Sequence, residues 1–141
     1  MVFNSLKKRI QKNEGYSKIP YKDQLGYYTI GYGHLIKKKE NFFFKNKYNK
    51  IFFHNLFEID FNKAKNDYYK HLYKKNHKKP EKELLIEMVF QIGIFGVLKF
   101  KKMLYFLNKK EKYMASLEML DSLWYKQTPK RVLSLIEHYI K

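Results

Sequence analysis

Residues 14–35 read EGYSKIPYKDQLGYYTIGYGHL. Two carboxylates, Glu14 and Asp23, come first, then a hydroxyl at Thr29, then a Gly-rich segment ending in His34. Four of the chain's six glycines fall here. Glycine adopts positive φ and lets another group approach the backbone, so the clustering points to a shaped surface. Pro20 breaks any helix, and residues 23–26 have turn composition. Residues 27–36 then alternate with the two-residue period of a strand. Thr29, Gly31 and Gly33 share one face; Tyr28, Ile30, Tyr32 and His34 share the other. The expectation is a small antiparallel sheet or hairpin set, with the residue-29 face left open by the glycines.

On the N-terminal side, Phe3, Leu6 and Ile10 recur at helical spacing opposite Lys7, Lys8, Gln11 and Lys12. Asn4 or Ser5 suits an N-cap, and Gly15 suits a helix stop. Glu14 then sits in the last turn, where a carboxylate faces the partial negative charge of the helix terminus. That placement hints at a role other than helix stability.

On the C-terminal side, residues 37–53 read as a long loop with a short edge strand. Leu56, Ile59, Ala64, Tyr68 and Leu72 predict one long helix. Residues 81–92 are largely apolar and predict a helix buried on most sides. Gly93 and Gly96 bracket a tight connection, and residues 100–107 and 113–123 form two more amphipathic segments. Thr128 and Pro129 mark a helix start, Thr as N-cap and Pro at the first position. That last helix runs to about residue 139. The fold class is α+β. The 141 residues suffice for one core, or for two small lobes sharing a helix.

Hydrophobic residues make up 45% of the chain, which excludes wholesale disorder. The formal charge of +17 comes almost entirely from lysine, arginine occurring only at 9 and 131. Such a field favours polyanions: nucleic acid, anionic membrane, or an acidic wall polymer. AT-rich codon usage gives the same excess of Lys, Asn, Ile, Phe and Tyr, so charge alone does not choose among them. Without cysteine there is no disulfide framework and no thiolate zinc site, as suits a reducing cytoplasm. No stretch matches a signal peptide or a membrane span. A soluble, unexported chain is the expectation.

Cleaving a glycosidic bond needs an acid to protonate the leaving oxygen and a carboxylate to assist the anomeric carbon. Their surroundings must keep one protonated and the other ionised. Glu14 at a helix end and Asp23 in a turn before a strand suit these roles, and Thr29 suits the holding of a water. Two carboxylates and a threonine are also ordinary furniture: taken alone, Asp23 is more often a turn residue and Glu14 more often a solvated helix terminus. His34 reads as a structural hydrogen-bonder, and no metal site or cofactor is expected.

The stretch resembles the catalytic motif of the T-even phage lysozymes, the muramidases of glycoside hydrolase family 24. The resemblance lies in Glu14-Gly15, in Tyr21-Lys22-Asp23, and in the run Gly26-Tyr27-Tyr28-Thr29-Ile30-Gly31-Tyr32-Gly33-His34-Leu35. Two further blocks are similar: Met88 to Gly93 followed by Gly96-Val97, and Trp124 to Arg131. The resemblance implies Glu14 as general acid, with Asp23 and Thr29 positioning or activating the attacking water. It implies Leu35 and Phe90 as saccharide-lining residues, and Gln91 and Arg131 as cleft-facing ones, Arg131 a candidate neighbour of Glu14. An inverting mechanism would need carboxyls roughly 6.5–9.5 Å apart.

The implied architecture is one lysozyme-like domain over residues 1–141. Its small lobe covers about 14–53, its linking helix about 54–76 and its helical lobe about 81–141, with helix 3–13 packing on the last. Departures from the family are a short stretch between His34 and Phe90, an early C-terminus, and Met103 and Glu118 at positions that are usually small polar or amide. The expected activity is hydrolysis of the β-1,4 bond between N-acetylmuramic acid and N-acetylglucosamine in peptidoglycan. The enzyme would be a monomeric endolysin, held in the host cytoplasm until a separate membrane-permeabilising protein releases it. Neither nucleic acid nor stable membrane insertion is expected. The alternative is a cationic nucleic-acid- or membrane-binding protein without catalysis, its lysine tracts interleaved with Tyr and Phe at 37–48 and 67–79. A transglycosylase is a third possibility.

Overall fold

A computed structural model describes residues 3–141. It runs through helix α1 (Asn4–Glu14), strands β1 (Ser17–Lys22), β2 (Tyr28–Gly31) and β3 (His34–Leu35), and a 3-10 helix (Lys38–Phe44). Six helices follow: α2 (Lys50–His71), α3 (Lys79–Leu98), α4 (Lys101–Asn108), α5 (Lys112–Leu120), α6 (Leu123–Gln127) and α7 (Pro129–Ile140). The expected α+β class is borne out, with one three-stranded sheet followed by helices. The chain divides into two compact units, Met1–Lys63 and Ala64–Lys141.

In the first unit, α1 buries Leu6 and Ile10 completely and stops at Gly15, where φ is 73°. Lys7 Nζ donates to Glu58 Oε1 at 2.8 Å, and the Phe3 and Phe61 rings lie 6.1 Å apart, so α1 packs on the first half of α2. The sheet is an antiparallel meander, β1-β2-β3. Tyr21 stands opposite Thr29, and Thr29 opposite Leu35, so one row crosses all three strands. The glycines do not leave the residue-29 face open as expected. A Cβ on Gly31 would lie 2.7 Å from Phe53 Cδ1, so the Phe53 ring occupies that space, and Thr29 is only 3% exposed.

Residues 37–53 differ from the expected loop and edge strand. Glu40 accepts from the Lys37 backbone N–H at 3.0 Å, closing the first turn of the 3-10 helix. Phe43 inserts among the rings of His34, Phe52 and Phe53. Aromatic packing, absent from any alternating pattern, dictates this segment. In α2 the buried stripe is Phe53, Phe57 and Phe61, continued by Ala64, Tyr68 and Leu72. Ile59, expected on that stripe, is exposed. The aromatic residues at i, i+4 and i+8 outcompete it for the inward face.

In the second unit, α3 is apolar and buried on most sides over residues 84–89, as expected. Its helical run breaks at Gly93, where φ 80° and ψ 160° define a conformation almost confined to glycine. Met103, Leu107, Ala115, Met119, Val132, Leu135 and Tyr139 bring α4, α5 and α7 into one core. The expected helix over 113–123 is divided, because Ser122 Oγ accepts from the Tyr125 N–H and starts α6. Pro129 opens α7 as expected. The Thr128 hydroxyl, however, donates to the Trp124 carbonyl at 3.1 Å instead of capping α7.

Two buried histidines have opposite surroundings. His34 donates from Nδ1 to Asp60 Oδ2 at 2.8 Å and from Nε2 to Glu40 Oε1 at 3.1 Å. Burial alone would lower its pKa, but the hydrogen bonds and charges of Asp60 and Glu40 outweigh burial and raise it above 6.5. His77 accepts at Nδ1 from the Tyr68 hydroxyl at 2.6 Å and donates from Nε2 to Asn108 Oδ1 at 2.8 Å, an arrangement for the neutral ring. Burial lowers its pKa below 6.5. His34 therefore adds stability that is complete below the unfolded value and is lost as pH rises through its folded pKa. The contribution of His77 is present above 6.5 and is lost as pH falls through its own folded pKa. Imidazole resonances followed by NMR should titrate above 6.5 for His34 and below it for His77. His34→Gln should cost about 1–3 kcal/mol near pH 6 and less at pH 9, by denaturant unfolding.

Candidate active site

Glu14 is the last residue of α1 and is half-buried. Its carboxyl lies against the backbone of Gly33, in the loop joining β2 to β3. A Cβ built on Gly33 would stand 2.6 Å from Glu14 Oε1 and 2.7 Å from its Cδ. Gly33 also has φ 80°, so both the backbone conformation and the space require glycine there. Burial first, and then the charges of Glu14 and Asp23, raise the Tyr21 phenol above its ordinary pKa. Both carboxylates thus act on one phenol.

Asp23 is held by the turn between β1 and β2. Its Oδ1 accepts from the backbone N–H groups of Leu25 and Tyr27, each at 2.9 Å. Its own backbone N–H donates to the Tyr27 carbonyl at 2.9 Å, and its carbonyl accepts from Gly26 at 3.0 Å. Both readings of Asp23 meet here: one carboxylate oxygen builds the turn, and Oδ2 makes no hydrogen bond to the described residues. Thr29, beside Tyr21 in the ladder, donates from Oγ1 to the Tyr27 carbonyl at 3.0 Å. Its oxygen lone pairs remain available to accept. Leu35, on the other side of Thr29, is half-exposed.

The remaining candidates belong to the second unit. Phe90 is half-buried on α3. The Gln91 amide is engaged at both ends: Oε1 accepts from Trp124 Nε1 at 3.1 Å, and Nε2 donates to Thr128 Oγ1 at 3.4 Å. Arg131 Nε donates to Glu87 Oε2 at 3.0 Å, the Glu87 side chain being 1% exposed. Glu87 and Gln91, four residues apart, share one face of α3. Together they fasten α6 and α7 to that face. A cavity of about 410 Å³ in the same unit is lined by Phe100, Met103, Glu118 and three lysines, Lys99, Lys101 and Lys102. Asp121 and Ser122 complete the lining, which includes both residues that depart from the family pattern, Met103 and Glu118.

Sequence reasoning names Tyr21 and Gly33 only as members of the motif and the strand pattern, without a role, and does not reach the partners Glu40, Asp60 and Glu87. Tyr21 lies near the end of β1, two residues before Asp23, the one local signal available. Glu40 and Asp60 meet the two ring nitrogens of His34, so the acids near this histidine are its hydrogen-bond partners. Among the described residues no group of His, Cys, Asp and Glu has the arrangement of a metal site.

A profile of the family described as "Phage lysozyme" matches residues 11–138. The chain is 34% identical to "Probable T4-type lysozyme 2" of Dictyostelium discoideum, over 96% of this chain and 95% of that protein. It is 35% identical to "Probable T4-type lysozyme 1" of the same organism, with the same coverage.

The Gln91 network predicts a measurable cost. Gln91→Leu leaves the buried indole N–H of Trp124 without its acceptor and should destabilise the protein by about 1–3 kcal/mol. Trp124 is the sole tryptophan, so its fluorescence, followed through urea unfolding, reports the changed indole environment and the lower midpoint together.

Proposed function

Because this chain belongs to the phage lysozyme family, glycoside hydrolases acting on peptidoglycan, we propose that Glu14 is its general acid and Asp23 and Thr29 position the attacking water. The bond cleaved is the β-1,4 linkage between N-acetylmuramic acid and N-acetylglucosamine. One observation carries this reading: the Glu14 carboxyl is seated on Gly33, just after β2, the strand that carries Thr29, and Asp23 Oδ1 is held in the turn just before that strand.

In the proposed step, the Glu14 carboxyl gives its proton to the glycosidic oxygen as the bond to the anomeric carbon breaks. A water donates one hydrogen to Asp23 Oδ2 and the other to Thr29 Oγ1, leaving a lone pair for the anomeric carbon. Asp23 takes the proton that the water loses, and solvent restores both carboxyls. Oδ1 of Asp23 is already occupied by two backbone N–H groups, so the carboxylate cannot turn freely. That suits a base of fixed direction. Leu35, beside Thr29, is assigned to the saccharide, as is Phe90. Gln91 and Arg131 are assigned to the saccharide by the family resemblance, and within the second unit their side chains are held by Trp124, Thr128 and Glu87. The enzyme works as a monomer. As an endolysin it would wait in the host cytoplasm for a separate permeabilising protein. The relatives in Dictyostelium discoideum favour a second setting for the same chemistry, a cellular organism's lysozyme acting on bacterial walls.

Glu14→Gln should lower wall hydrolysis by on the order of 10²–10⁴-fold with the melting temperature retained; lysis near the wild-type rate by this variant would sink the assignment. Released muropeptides should end in reducing sugars that have gained water, by mass spectrometry, whereas anhydro-muramic ends would identify a transglycosylase. Gly33→Ala, which drives a methyl group into the Glu14 carboxyl, should cost about 10²-fold in kcat/KM.

A further inference from the structure

We propose that residues 37–50, with Lys22 and Tyr28 beside them, form a docking surface for an anionic lipid bilayer, separate from the catalytic groups. The segment reads KKKENFFFKNKYNK and holds six lysines against one acid. That acid, Glu40, is committed to the Lys37 N–H and the His34 ring and is only partly exposed. Glu40 offsets one charge, that of Lys37 beside it, so the segment keeps a net excess of five positive charges, and all six lysines are exposed.

The aromatic residues are placed by the same short helix. Phe43 is 3% exposed and fixed among Phe52, Phe53 and His34. With three residues per turn, a 3-10 helix sends consecutive side chains in three directions. Burying Phe43 thus turns Phe42 and Phe44 outward, to 36% and 54% exposure. Phe44 meets the half-exposed Tyr28 edge-on at 5.4 Å, and Lys22 Nζ lies 5.3 Å above the Tyr28 ring. Exposed phenylalanine with lysine on either side in the chain has the chemistry of an interfacial membrane anchor. The rings enter the headgroup and acyl boundary while the ammonium groups reach lipid phosphates.

Other polyanions fit less well. Arginine, whose planar fork grips phosphates in bidentate fashion, is absent from the whole segment. Phenylalanine gains nothing from hydrogen bonding to a sugar or base edge, and gains most from leaving water. The attachment would be peripheral, since no described helix is long and apolar enough to cross a membrane. Tyr28 lies on the face of β2 opposite Thr29, so docking here uses the other side of that strand.

The test is co-sedimentation of the full chain with vesicles of phosphatidylcholine alone, or of phosphatidylcholine and phosphatidylglycerol in equal parts. The wild type should bind only the anionic vesicles, and less as salt rises. Replacing Lys38, Lys39 and Lys45 together by Gln should weaken binding tenfold or more, on the order expected for three surface lysines. The same charge change at Lys70, Lys74 and Lys75, exposed in the other unit, should alter it about twofold at most. Phe42→Ala with Phe44→Ala should also weaken binding by about tenfold while wall hydrolysis and melting temperature stay near wild type. Equal losses from the two lysine triples, or no loss from the phenylalanine pair, would overturn the proposal. So would indifference to anionic vesicles alongside salt-sensitive binding to polyphosphate or a single-stranded oligonucleotide. Wall hydrolysis by the wild type is read separately, so failure of docking leaves the catalytic reading untouched.

Discussion

The carboxyl of Glu14 rests on a backbone that has no room for a side chain, and much of the first unit serves that contact. Gly33 must be glycine for two independent reasons, a positive φ and a carboxylate where its Cβ would be. The loop carrying Gly33 is held in turn by its neighbour His34. Asp60 on α2 and Glu40 on the 3-10 helix clasp the two nitrogens of that ring. A helix end, a hairpin loop, a short helix and a long helix are thereby linked through one imidazole. Because both of its partners are carboxylates, the clasp is strongest with the ring charged. The seat of the Glu14 carboxyl is thus linked, through the loop, to the protonation of His34.

The second unit uses buried polar groups in the same structural way. Glu87 and Gln91 fasten α6 and α7 to α3 through Arg131, Trp124 and Thr128. Glu81 accepts from Lys110 at 2.8 Å and from the Lys78 N–H at 2.7 Å, and these bonds lower its pKa against the opposing effect of burial. Several of the chain's few acids are consumed by such ties. The large positive excess is therefore carried outward on lysines, toward partners such as the acidic polymer that the enzyme class degrades.

Local chemistry was readable in the sequence; long-range pairing was not. Glycine at 15, Pro129 and the helical spacing of Leu6 and Ile10 depend on near neighbours, and each stands where expected; the alternation over 27–36 is instead cut by the loop at 32–33, and α3, though broken at Gly93, runs past Gly96 to Leu98. The errors arose where distant side chains compete. Phe53, Phe57 and Phe61 displaced Ile59 from the buried face of α2, and Phe43 converted an expected loop into a 3-10 helix. The Phe53 ring filled the space that glycine seemed to leave open. His34 was identified as scaffold, yet Asp60 lies twenty-six positions away. No local pattern marks such a pair. The motif resemblance reached further than spacing because it carries the outcome of those distant contacts within a short run of residues.

Asp23 shows why a turn residue and a catalytic residue need not be alternatives. A carboxylate that is free to rotate presents either oxygen in any direction, and a water bound to it has no fixed line of attack. Two backbone N–H groups on Oδ1 remove that freedom and are themselves fixed by the Asp23–Tyr27 hydrogen bonds of the hairpin. The Tyr27 carbonyl also receives the Thr29 hydroxyl proton. The same turn thereby orients both groups assigned to the water, the carboxylate through Oδ1 and the hydroxyl through its proton. Disturbing the turn without touching either side chain would release both Asp23 Oδ1 and the Thr29 hydroxyl from their backbone partners. In this chain the hairpin is accordingly part of the proposed chemistry, and Gly26, whose φ of 87° lets the turn close, is a positioning residue for it.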